Sequence, residues 1–219
     1  MVYRVSVSVL EKFRRFREGL TQYDTEEALL DAITGKFIGN DKTRIGGAFH
    51  KIIEKYQRNF VSGELYSDGI FFSQDQAQVA VNYKNEHPDM VPEVPIFKKY
   101  DAGDIIIQVS ARADGVEGLR IRDAKTKFSP PSPTEYYNSY QWRFYLDMFQ
   151  VPAFYYDLFE IENYTGIYNN RLPGVTITPY EPFECLAYDH LAEDVHQLVR
   201  DFAQFIRIKN YFTLLKQVA

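Results

Sequence analysis

The run "DIIIQVSARADGVEGLRIRDAKTK", residues 104 to 127, constrains the fold of this chain most. Two apolar stretches of strand period flank a tight turn around Glu117 and Gly118, and β-branched residues fill them. Such a pattern is satisfied as two antiparallel strands of one sheet. "VPIFKKY" precedes them, joined through "DAGD", so three successive strands are predicted. A sheet with apolar rows must bury them, and the rest of the chain supplies helices to do so.

"YDTEEALLDAITGKF" predicts a short helix capped by Asp24 or Thr25, with Leu29, Leu30 and Ile33 as its apolar face. A second helix is expected after "RIGG", where Phe49, Ile52, Ile53, Tyr56 and Phe60 fall at helical spacing. "SQDQAQVAVNYKNEHP" predicts a third, ended by Pro88. Beyond the strands, "PPSP" breaks regular structure, and "TEYYNSYQWRFYLDMFQ" reads as one aromatic-rich helix capped by Thr134. "AFYYDLFEI" predicts a buried strand and "GVTITPY" another. Leu191, Val195, Leu198, Phe202 and Phe205 then mark a long amphipathic helix whose stripe is core packing. The expected class is α/β, a small mixed sheet flanked by helices. No repeat or long linker divides the 219 residues, so a single domain is expected, with its core at about residues 45–162 and helical additions at either end.

Composition narrows the function classes. Forty-five per cent hydrophobic residues, with 17 Tyr and 17 Phe, provide ample core. The single cysteine, Cys185, excludes an intramolecular disulfide framework and a four-cysteine metal or iron–sulfur site. No apolar run reaches the ~18 residues of a membrane span, and the first residues lack the features of a signal peptide. The expectation is a soluble, cytoplasmic protein without membrane contact. With a net charge of −5, any surface for nucleic acid must be local. Arg14, Arg15 and Arg17, Lys42 and Arg44, and Arg112, Arg120, Arg122, Lys125 and Lys127 are the basic clusters. Most of them read as ordinary solvated charges.

Along the second strand of the hairpin, Leu119, Ile121, Asp123 and Lys125 share one face, so two apolar residues lead into an acid and a lysine. A two-residue turn at Glu117–Gly118 would set Asp114 opposite Ile121, one diagonal step from Asp123. Two converging carboxylates repel unless a proton or cation intervenes, and Mg²⁺ or Mn²⁺ suits oxygen ligands. A neighbouring ammonium can orient water and stabilise charge on a phosphate, so metal-assisted phosphodiester hydrolysis fits this cluster. The alternative is a surface ion pair between Asp123 and Lys125.

The surroundings add a resemblance. "GGAFH", "ARADG", "DAKT" and "QWRFY", in this order, resemble the RecB-type branch of the PD-(D/E)XK nuclease superfamily, over roughly residues 6 to 160. "SVSVLEKF" is similar to the opening motif of many relatives. The resemblance implies a restriction-endonuclease-like core, with His50, Asp114, Asp123 and the backbone carbonyl of Ala124 as metal ligands and Lys125 as the catalytic lysine. It implies that Gln141 and Tyr145 face the site from the following helix. Ala111 stands where relatives often carry glycine, and "RRFRE" replaces the cysteines of iron–sulfur relatives.

Read without the resemblance, His50 is as readily a buried histidine at the helix rim, and Glu54 a solvated acid one turn on. Gln141 and Tyr145 could simply pack a helix on the sheet, and Tyr140 and Trp142 read as core. His87, His190 and His196 lack ligand spacing. The expected function is a Mg²⁺- or Mn²⁺-dependent DNA nuclease, an exonuclease above all, in recombination, repair or phage DNA processing. DNA is its expected partner, with a recombination or helicase protein or a second copy of the chain as further ones. The rival is a nuclease-like fold without activity that binds nucleic acid or serves in an assembly.

Overall fold

The computed structural model describes residues 1–36 and 39–218. The chain runs β1 (Val2–Ser6), α1 (Val7–Glu18), α2 (Glu26–Thr34), α3 (Asp41–Lys55), β2 (Glu64–Ser67), β3 (Ile70–Ser73) and α4 (Gln74–Glu86). There follow β4 (Val91–Asp101), β5 (Ile106–Glu117), β6 (Arg120–Lys127), α5 (Pro133–Tyr137), α6 (Gln141–Phe149) and β7 (Ala153–Glu162). β8 (Thr176–Pro179), β9 (Phe183–Leu186), α7 (Leu191–Ile208) and β10 (Lys216–Val218) complete it.

The architecture is α/β, as expected, but the sheet is larger than the small one predicted. Eight strands take part, in the order β10-β1-β5-β6-β7-β8, with β4 on β5 and β9 on β7. It is mixed: β1 runs parallel to β5 and β6 parallel to β7, while the other pairings are antiparallel. Residues 2–18 are therefore no helical addition, because β1 lies inside the sheet and α1 packs on it. The alternation in "VYRVS" passes into α1 with no glycine or proline between, and Ser6 caps the helix by accepting the Val9 N–H.

Helices cover both faces. On one, α1, α6 and α7 bury Leu10, Phe13, Phe144, Leu198 and Phe202 against Val109, Ile121 and Phe154. Leu191, Val195, Leu198 and Phe202 of α7 are buried as the stripe predicts, and each such side chain contributes about 1.5–3 kcal/mol. On the other face, α3 and α4 bury Phe49, Ile52 and Ala80 against Ala124 and Phe159.

Thr25, one of the two caps expected, caps α2, and Phe37, at the end of the predicted helix, lies outside the described residues. Two other helices depart from expectation. α3 starts before "RIGG", at Asn40, and ends at Tyr56 in a left-handed conformation, so Phe60 is not on it. Gly46 sits within the helix because a Cβ there would lie 2.6 Å from Thr126 Oγ1, and its absence lets α3 approach β6. The single helix expected from Thr134 is two: α5, entered from Ser132 with Pro133 in its first turn, and α6, separated at Asn138–Tyr140. Glu11 of α1 accepts the Tyr140 N–H at 2.8 Å, Ser139 Oγ accepts the Gln141 N–H at 3.1 Å, and the Trp142 indole donates to the Tyr137 carbonyl. Those bonds satisfy the groups that the break frees.

Candidate functional site

The β5–β6 turn is centred one residue later than predicted. Gly115 pairs with Arg122, Val116 with Ile121 and Glu117 with Arg120, so Gly118 and Leu119 form the turn. Leu119 is exposed there, outside the inward row assigned to it. Carried one residue further, this register sets Asp114 across from Asp123 rather than across from Ile121. The ladder stops short of that pair. β1 holds the same edge of β5 at residues 106 to 110, so residues 111 to 114 have no ladder partner on that side. The sheet forks at this point, and the acids stand in the fork.

All the predicted side chains are nearby, delivered by four elements: His50 by α3, Asp114 by β5, Asp123 and Lys125 by β6, and Gln141 and Tyr145 by α6. Asp123 is only 2% exposed, and Gln141 Nε2 donates to its Oδ1 at 3.0 Å. Lys125 Nζ lies 2.7 Å from Asp123 Oδ2 as an ion pair, at an angle outside hydrogen-bond geometry. His50 Nδ1 is 3.5 Å from Asp114 Oδ2. Asp114 Oδ2 and Asp123 Oδ2 are both buried without a hydrogen-bond partner. The break before α6 aims Gln141 at Asp123. Tyr145, one turn on, donates to the Arg112 carbonyl at 2.7 Å and touches neither acid through a hydrogen bond. It holds the β5 backbone instead.

The electrostatics follow from this crowding. Burial pushes the Asp123 carboxyl up to about 6, Lys125 opposing the rise and Asp114 adding to it. Burial also raises Asp114, against the charge of Lys125. For Lys125, burial disfavours the ammonium, but Asp123 and Asp114 together hold its pKa above the ordinary value. The His50 imidazole is lowered to about 4 by burial and by Lys125. At neutral pH it is an uncharged nitrogen donor, the form that binds a metal.

The donor set suits a hard cation: carboxylate oxygens left without partners, a neutral imidazole and the Ala124 backbone beside them. Among the described residues no group of three or more His, Cys, Asp and Glu side chains could hold a metal ion. The expected ligands are thus not gathered into a closed cage, because His50 lies against Asp114 and Lys125 takes the free side of Asp123. Mg²⁺ needs no such cage, since it commonly rests on one or two carboxylates and keeps several waters.

A groove of about 700 Å³ opens onto these groups, lined by Asp114, Lys125, Gln141 and Tyr145 together with Arg4, Ser6, Glu11, Phe97 and Arg112. Several of these were not singled out from the sequence. Phe97 exposes half of its surface, with the Arg4 guanidinium 5.0 Å from its ring. Glu93 of β4, at a left-handed φ of 57°, binds Arg112 Nε at 2.6 Å and adds a third negative charge near Asp114. The alternating pattern of β4 gives no hint of this backbone, whereas "SVS" at the start of α1 does carry a cap signal. Glu54 is held by Lys51, and His87, His190 and His196 lie elsewhere, on Glu117, Glu193 and the Asp101 carbonyl.

No family model matches this chain, and no curated protein matches it. Among solved structures, one described as "Crystal structure of SSO0001" is similar at 13% identity and a TM-score of 0.47, over 93% of this chain and 76% of that one. No helix among the described residues is long and apolar enough to cross a membrane.

Proposed function

We propose that the fork is the active site of a divalent-metal-dependent nuclease of the PD-(D/E)XK type, with a restriction-endonuclease-like core built on β5, β6, α3 and α6. The observation that carries this reading is the pair of buried, unpartnered oxygens on Asp114 and Asp123, with the Lys125 ammonium alongside. One ammonium faces two buried carboxylates here, so the pair carries more negative charge than Lys125 alone offsets, and that excess costs free energy unless a cation shares it.

Asp114, Asp123 and the Ala124 carbonyl would hold Mg²⁺ or Mn²⁺, with His50 beside Asp114. The bound cation would supply Lewis-acid polarisation of a phosphate oxygen and a more acidic water. The chain's own groups do the rest. Lys125 holds a water or the charge that develops on the phosphate, and Asp123 keeps that ammonium in place. Gln141 fixes the rotamer of Asp123 by occupying Oδ1, which leaves Oδ2 for Lys125 and a cation. Tyr145 is a positioning residue acting through the Arg112 carbonyl.

DNA is the proposed substrate, and the open groove suits a single strand or strand end better than sequence reading in a duplex major groove. Exonuclease action in recombination, repair or phage DNA processing is the role proposed. The test is incubation with linear and circular duplex DNA in Mg²⁺ or Mn²⁺ and then in chelator. Loss of linear DNA alone supports an exonuclease, cutting of circles an endonuclease. Inertness of both substrates in either metal, matched by the Asp123→Ala and Lys125→Ala proteins, overturns the enzymatic reading in favour of a binding or assembly module.

A further inference from the structure

We propose that the pocket on the far side of Lys125 and Gln141 from the groove is a second anion subsite, which takes a phosphoryl group of the same strand through the hydroxyls of Tyr136 and Tyr156. The inference rests on the nuclease reading for the identity of the strand, but the pocket itself stands on separate residues. It has a volume of about 320 Å³ and lies between β6, α1 and the α5–α6 break.

Its distinctive feature is two phenols that satisfy nothing. Tyr136 is 6% exposed and Tyr156 1%, both line the pocket, and among the described residues neither hydroxyl is in hydrogen-bond geometry with a partner, although Ser139 stands beside that of Tyr156. Their rings pack against each other at 4.7 Å, a contact phenylalanines would make equally well. A buried hydroxyl with no partner is a cost to folding, so its retention at two adjoining positions asks for a ligand. Tyr156 lies beside Asp123 in the β6–β7 register, so these donors stand next to the fork.

The acids at the pocket are engaged already. Glu11 accepts from Arg14 and from the Tyr140 N–H, and Glu135 holds Lys127 at 3.0 Å through each oxygen. Ser139 Oγ accepts the Gln141 N–H, which leaves its own proton to donate. What remains unused is a set of O–H donors, beside the Lys125 and Lys127 ammoniums that Asp123 and Glu135 hold, the latter ammonium 5.2 Å from the Tyr136 ring. Such a set recognises a group that only accepts, and the non-bridging oxygens of a phosphate do so. Lys125 and Gln141 line both the pocket and the groove, so adjacent phosphoryl groups of one strand would fall on either side of them. The phosphoryl group is that of a terminal monoester or of an internal diester, and the two are separable by experiment.

The test is fluorescence anisotropy in chelator, where no cleavage occurs. The probes are single-stranded oligonucleotides with a 5′-phosphate, a 3′-phosphate or hydroxyl ends, with inorganic phosphate as competitor. Wild-type protein should bind one phosphorylated end about tenfold more tightly than hydroxyl ends if the source is terminal, and all three alike if it is internal. In both cases inorganic phosphate competes, and the Tyr136→Phe/Tyr156→Phe protein binds about tenfold more weakly. Its melting temperature should equal or exceed that of the wild type, because only unpaired hydroxyls have been removed. Unchanged binding by the double variant, or no phosphate-sensitive binding by the wild type, overturns the subsite. Cleavage assayed on the same preparations reports the fork separately. An inactive wild type whose binding still depends on both hydroxyls leaves the subsite standing and removes the nuclease, whereas active enzyme indifferent to both hydroxyls does the reverse.

Discussion

At the corner between α1 and α2, Asp24 is buried with Lys12 and Arg15 each 3.1 Å from Oδ1, and with the Thr21 hydroxyl 2.7 Å from Oδ2. At the fork, Asp123 is buried at least as deeply, but it receives only the Gln141 amide and one ill-angled ammonium. Burial alone would raise both carboxyls. At Asp24 the partners outweigh it, and the pKa falls well below the usual carboxylate range; at Asp123 they do not, and it rises to about 6. The contrast teaches that depth alone does not decide which way a buried carboxyl shifts. The count of satisfied lone pairs does.

Neutralising each acid in turn is the sharpest way to break that comparison. Asp123→Asn should lower nuclease turnover by about 10²–10³-fold, the scale of losing one charge-stabilising group, without lowering the melting temperature. Asp24→Asn should leave turnover unchanged. Equal activity losses in the two proteins would erase the distinction. Next in size is ligand stabilisation. At a hundredfold excess over its dissociation constant, Mn²⁺ should stabilise the wild type and Asp24→Asn proteins by about 2.7 kcal/mol in thermal melts, and Asp123→Asn by much less.

Asp24→Asn should cost about 1–3 kcal/mol in denaturant unfolding at pH 7, and this loss has a definite pH signature. A depressed folded pKa stabilises above the unfolded value near 4, so the gap between wild type and variant should close as pH falls below about 4. Asp123 has the opposite sign. Its folded pKa is raised, so the wild type loses stability as pH rises from about 4 to about 6, and Asp123→Asn should gain on it over that window and then run parallel. Parallel stability curves for wild type and Asp123→Asn across that window would mean that Asp123 is compensated as fully as Asp24. The smallest effect concerns placement: Gly46→Ala should destabilise by about 1–3 kcal/mol through the Thr126 clash, and Thr126→Ala in the same chain should restore most of it.

Local signals in the sequence were sufficient for some elements and silent on others. The alternation of β5 and β6, the α4 run that Pro88 ends and the stripe of α7 are short-range patterns, and the elements stand where those patterns put them. Asp114, Asp123 and Lys125 stand out by residue type and strand alternation, whereas Gln141 enters only through the resemblance. What stayed hidden depends on distant partners. β1 becomes a strand by pairing with β5 and β10, and the α5–α6 break exists because Glu11, far away in sequence, accepts the Tyr140 N–H. Pairing register also lies beyond local pattern, since moving a two-residue turn by one position changes which side chain faces Asp114 while leaving composition untouched. The left-handed Glu93 and the unpaired phenols of Tyr136 and Tyr156 have no sequence signature at all.

The position of β1 has a consequence for biosynthesis. Val2 pairs with Ile106 on one side and with Val218 on the other, so the strand must wait for segments made much later. Loop closure over such distances is slow, and α1, which follows β1 directly and brings Ser8 and Glu11 to the groove, waits with it. A nascent chain still short of the segment near residue 216 lacks the outer neighbour of that strand. Until that segment is made, Ser6 and Glu11 of the groove stand on a strand and helix that lack one of their neighbours.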